Sequence, residues 1–128
     1  MATKQASVPV PTEDQEQAAL FDWARMAEGA YPELQWFHAI PNGGKRNIVT
    51  ASKMKATGTK PGVPDTFLPV PRNGYHGLYI ELKRRKGGRI SPEQKKCMEF
   101  LRGQGYRVEV CMGFQEAVET IKDYLNMR

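Results

Sequence analysis

The chain has 128 residues, 40% of them hydrophobic and 26% charged, a mix that excludes a disordered polymer and predicts one domain with one core. No apolar run approaches a membrane span, and the N-terminus lacks the apolar stretch of a signal peptide, so the expected setting is cytoplasmic with no membrane partner. Nineteen Lys and Arg against 14 Asp and Glu leave a net charge of +5, which points to a polyanionic partner.

Residues 1–11 are small, polar and Pro-interrupted, and are expected to be a disordered leader to a single domain over 12–128. Thr12 suits an N-cap, with Glu13, Asp14 and Glu16 in the first turn of a helix, where carboxylates complement the dipole. Leu20, Phe21, Trp23, Ala24 and Ala27 form its apolar stripe, and Gly29 with Pro32 ends it. Residues 35–40 are β-prone and close on the turn Pro41-Asn42-Gly43-Gly44. A short helix is expected around residues 52–56, inside a basic and weakly patterned stretch. Residues 65–70 and 77–83 are two β-runs, and Asn73-Gly74 between them predicts a hairpin with a long loop. Ser91 and Pro92 open a helix that Gly103 to Gly105 end, residues 106–112 alternate as a last strand, and residues 114–127 form a closing amphipathic helix. The order predicts an α/β layer fold, helices against a mixed sheet.

Charge is unevenly spread. Residues 34–89 hold eleven basic side chains and only two carboxylates, Asp65 and Glu81. In the strand over 78–83 side chains alternate faces, so Leu78, Ile80 and Leu82 point to the core while Tyr79, Glu81 and Lys83 share the other face. Asp65 starts the partner strand and can come close to Glu81. Two carboxylates at one point repel unless a cation lies between them, and Mg²⁺ takes one or two such ligands with phosphate and water. Taken alone, Glu81 and Lys83 are more simply a salt bridge on an edge strand. The upstream Pro64-Asp65 favours a site.

Other residues carry bland alternatives. Cys97 and Cys111 lack metal-ligand spacing and read as two buried thiols. His38 and His76 are candidate general bases but suit polar surface positions better. Tyr79, Trp23 and Trp36 are most simply packing. Gly43, Gly44, Gly87 and Gly88 fit either phosphate contacts or ordinary turns.

Pro64-Asp65 followed by Glu81-Leu82-Lys83 resembles the PD-(D/E)xK nuclease pattern. Glu13-x-x-x-Gln17, Pro41-Asn42-Gly43-Gly44 with Arg46, Gly58-x-x-x-Gly62-Val63-Pro64-Asp65, Ser91-Pro92-Glu93-Gln94 and Leu101-x-x-x-Gly105 add a resemblance to the virus-type replication-repair nuclease (VRR-NUC) family of that superfamily. It covers residues 12 to about 125, and the order of the short motifs makes it specific. The resemblance implies a restriction-endonuclease-like core and a Mg²⁺- or Mn²⁺-dependent, structure-selective DNA endonuclease, with Holliday-junction resolution in a phage or repair setting among the expected activities. Asp65, Glu81 and the carbonyl of Leu82 would bind metal, Lys83 would be the catalytic lysine, and Gln94 would line the site. Glu13 is preferred to Glu16 as the first-helix carboxylate, by its motif spacing and its place on the apolar stripe.

Arg46, Lys53, Lys55, Lys60, Arg84, Arg85, Lys86 and Arg89 flank the expected site and would contact DNA phosphates. A homodimer is expected, because two symmetric sites suit a branched or four-way substrate. The rival is a non-catalytic basic nucleic-acid-binding module, which needs no divalent metal.

Overall fold

The computed structural model describes residues 9–41 and 48–128, with the side chains of 48–50 left aside. Its elements are α1 (Glu13–Ala27), a 3₁₀ turn (Pro32–Trp36), β1 (His38–Ala39), α2 (Ile48–Ala56), β2 (Thr66–Leu68), β3 (Leu78–Lys83), α3 (Pro92–Gly103), β4 (Arg107–Met112) and α4 (Phe114–Leu125). Arg46, most of the 41–44 turn and residues 1–8 of the expected leader lie outside the described residues.

The four strands lie in the order β1-β2-β3-β4. The first three are antiparallel neighbours, and β4 runs parallel to β3 after the α3 crossover. This is the expected mixed sheet flanked by helices, of the restriction-endonuclease-like type. The hairpin turns at Asn73 and Gly74, both at positive φ, and Arg72 and Tyr75 pair across it. Both helix starts read from the sequence are capped reciprocally: Thr12 with Gln15 on α1, Ser91 with Gln94 on α3.

The main core lies on one face of the sheet. Leu78, Ile80 and Leu82 of β3 are buried there with Leu20 and Ala24 of α1 and Ala117, Ile121 and Tyr124 of α4. Burying residues of this size stabilises by about 1.5–3 kcal/mol each, so the alternation of β3 is strongly held. α3 packs against β4 on the other face, the one that carries Tyr79, Glu81 and Lys83.

The structure corrects several expectations. Of the β-prone run over 35–40, Gln35 and Trp36 end a 3₁₀ turn and only His38 and Ala39 lie in a strand. Leu34 and Phe37, three residues apart and so one 3₁₀ turn, take the buried side, which leaves Trp36 65% exposed rather than in the core. Residues 65–70 supply a strand of only three residues, ended by Pro69, which has no N–H for the ladder. The helix expected around 52–56 starts earlier, at Ile48. On α1 Glu16 is buried with Leu20 and Ala24, whereas Glu13, which lies between Leu20 and Ala24 on the helical wheel, is exposed in the first turn. Cys111 is buried as expected, but Cys97 is only half-buried.

Candidate metal and nucleic-acid site

Backbone register assembles the site. Thr66 pairs with Ile80, so Asp65, just before β2, comes opposite Glu81. Its Oδ2 accepts a hydrogen bond from the Leu82 N–H at 2.9 Å, which ties the Pro64-Asp65 corner to β3. Gly62 makes the approach to that corner possible: it sits at φ +87°, and a Cβ there would fall 2.6 Å from the Glu93 carbonyl oxygen. The loop thus rests on the start of α3. From α1, Glu13 enters the same space. Carboxylate oxygens of Glu13, Asp65 and Glu81 lie within 4.8 Å of one another, and this is the one such acidic group among the described residues.

The group is electrostatically unbalanced. Glu81 is 1% exposed, and both of its carboxylate oxygens are buried without a hydrogen-bond donor. Burial and the adjacent Asp65 carboxyl push its pKa up to about 9, with Glu13 adding to the rise and Lys83 opposing it. A proton on Glu81 would be donated to Asp65 and relieve the repulsion; a divalent cation would relieve it for the whole cluster. Opposite oxygens around a hard divalent cation stand about 4–5 Å apart, so carboxylate oxygens within 4.8 Å of one another are compatible with facing one ion.

Lys83 stands beside the carboxylates, nearly buried. Its Nζ is 4.0 Å from Glu13 Oε1 and from Glu81 Oε1, and it donates to Gln94 Oε1 at 3.1 Å. The same Gln94 oxygen accepts from the Ser91 N–H, so the capping box of α3 also aims the lysine. Leu82 places its side chain in the core and its backbone beside Asp65.

Glu16 does not join this group. It is buried in an ion pair with Arg85, at 3.0 Å, and its Oε1 accepts from the Phe114 N–H at the start of α4. Arg85, expected among the phosphate contacts, is thereby tied to Glu16 and to Gln115. That pair, with Glu16 buried and Arg85 on the surface, ties the first turn of α1, which carries Glu13, to the segment just after β3, whose end carries Lys83. Sequence reading missed it, because nothing in the local pattern links Glu16 to Arg85, 69 residues along the chain. Lys53, Lys55, Lys60, Arg84, Lys86 and Arg89 are all exposed. The segments bearing Lys60 and Arg89 converge on the start of α3, through Gly62 and Ser91. His38 and His76 are surface residues.

A mixed sheet between helices, with Asp65 and Glu81 paired at adjacent strand ends and Lys83 two residues on, defines the restriction-endonuclease-like class of nuclease folds. The family model of the VRR-NUC domain matches residues 11–115. A solved structure described as a VRR_NUC domain protein superposes with a TM-score of 0.77 at 30% identity, covering 91% of this chain and 90% of that one. A search of curated proteins returned no match. The chain belongs to the VRR-NUC family, a family of nucleases. No helix among the described residues is long and apolar enough to cross a membrane.

Proposed function

We propose that the chain is a divalent-metal-dependent endonuclease that hydrolyses DNA phosphodiesters and selects DNA by shape, four-way and flapped forms included. The observation that supports this most is Glu81: a carboxyl buried against a second carboxylate is costly to ionise unless a cation lies between them. Asp65, Glu81 and the Leu82 carbonyl would hold Mg²⁺ or Mn²⁺, with Glu13 completing the set. Bound there, the metal would lower the pKa of a coordinated water and neutralise phosphate charge. Lys83, held by Gln94, would orient that water and meet the charge that develops on the phosphate. Arg84, Lys86, Arg89, Lys53, Lys55 and Lys60 would bind flanking phosphates without reading sequence. A homodimer would present two such sites to a branched substrate.

Labelled duplex, flap and four-way DNA, incubated with Mg²⁺ or Mn²⁺ and with EDTA, test the reading. Metal-dependent strand cleavage is the expected result. Salt-sensitive binding with no cleavage under any metal would replace it with the non-catalytic binding module.

A further inference from the structure

The face of the sheet that carries the carboxylates also carries a row of aromatic rings running to its open edge. Tyr106 meets Tyr79 edge-on, with centroids 5.3 Å apart, and Tyr79 stacks on Phe67 at 4.2 Å. Phe67 in turn meets His38 of β1 at 5.9 Å and 83°. Two features fix this row. A Cβ at Gly77 would sit 2.8 Å from the Phe67 ring, so the glycine lets that ring lie against the sheet. The His38 ring is held by its Nδ1, 2.9 Å from the Trp36 carbonyl oxygen. The inner rings are partly covered, but His38 is exposed on the edge strand.

Its position matters. His38 is the register partner of Phe67, and Asp65 lies two residues from Phe67 on the same face. Diagonal neighbours of this kind are about 7–8 Å apart, which is the scale of one nucleotide. We infer that the His38 ring, braced on Phe67, is a stacking platform for an unpaired nucleobase next to the phosphodiester held at Asp65 and Glu81. This rests on the proposed nuclease reading and gives its substrate class: DNA whose cleaved bond is flanked by an unpaired nucleotide.

Physical reasons favour that occupant. A base inside a duplex already has both faces covered by its neighbours, so a ring at a sheet edge can recruit only a base released from pairing. Stacking on aromatic side chains, histidine included, is how proteins hold such bases, and it tolerates any sequence because every base has a π-face. A ring already fixed by a hydrogen bond and an edge contact loses little freedom on binding. The chain as a whole carries a net charge of +5, which favours a nucleic-acid partner.

The test uses two DNA strands that differ at one nucleotide, an unpaired one beside the cut, which is intact in one and abasic in the other. Binding is read by fluorescence anisotropy with Ca²⁺ in place of Mg²⁺, and cleavage by single-turnover assay with Mg²⁺. The wild-type protein should bind the intact strand about tenfold or more tightly than the abasic one. His38→Ala should lose that preference by weakening on the intact strand alone, and His38→Phe should keep it. Equal wild-type affinity for the two strands, or an equal loss on both in His38→Ala, would overturn the inference. So would loss of the preference in His38→Phe, since the ring nitrogen and not the ring face would then be at work. If neither strand is cleaved yet the binding preference follows His38, the platform stands and the nuclease reading fails.

Discussion

Removing the charge of Glu81 should make the metal-free protein more stable while it disables the site. Burial and the Asp65 carboxyl raise the Glu81 pKa from an unfolded value of 4.5 to about 9. The sign follows from linkage. A carboxyl with a raised folded pKa leaves stability intact below pH 4.5, and that stability is lost progressively as pH rises toward 9, because the unfolded chain releases the proton that the folded one keeps. At pH 7 the gap from 4.5 corresponds to about 3 kcal/mol at 1.36 kcal/mol per unit. Glu81→Gln escapes this cost, since an amide has no charge to bury and can donate to Asp65. For a domain of this size the gain is about 10 °C in Tm. Thermal unfolding in EDTA between pH 5 and 8.5 measures it: the variant's advantage should be small at pH 5 and widen steadily above it. Saturating Mg²⁺ or Mn²⁺ should then raise the wild type selectively, by about 2.7 kcal/mol at a hundred times Kd. A variant no more stable than wild type at pH 8, or an advantage that does not grow with pH, would refute the electrostatic account of this cluster.

Lys83→Ala should lower single-turnover cleavage by about 10²-fold or more at unchanged DNA affinity, because the ammonium acts mainly on transition-state charge. Lys83→Arg should also be poor, since a planar fork cannot replace a compact donor aimed by Gln94; cleavage within a few-fold of wild type would return Lys83 to a salt-bridge role. Neutralising Arg84, Lys86 and Arg89 together should flatten the salt dependence of duplex binding by about 0.9 per lost phosphate contact and leave thermal stability nearly unchanged. Arg85→Ala should behave in the opposite way, costing about 1–2 kcal/mol in urea unfolding because Glu16 stays buried without its partly exposed cation, while the salt slope of DNA binding moves little.

Much of this site was legible because its parts are short-range. The alternation of β3 put Glu81 and Lys83 on one face, and Asn73-Gly74 announced the hairpin that brings Asp65 opposite Glu81. Ser91-Pro92 with Gln94 announced the cap that receives Lys83. What stayed hidden depends on tertiary partners. Arg85 looks like any other member of a basic loop until Glu16, 69 residues away, is folded against it. Glu13 was reached by motif spacing and by its phase with Leu20 and Ala24, whereas the burial of Glu16 depends on tertiary contacts that hydrophobicity alone would not assign. Trp36 looked like core because large aromatics usually are, but the 3₁₀ period turned it outward.

The central claim is that Asp65 and Glu81 act together on one cation to cleave DNA. Single-turnover cleavage of one labelled DNA by wild type and Asp65→Asn, at saturating protein with Mg²⁺ or Mn²⁺ and again with EDTA, bears on it most directly. The account predicts cleavage by wild type only with metal, and none by Asp65→Asn although it folds and binds the same DNA. Wild-type rates from Asp65→Asn, or wild-type cleavage that persists in EDTA, would contradict it.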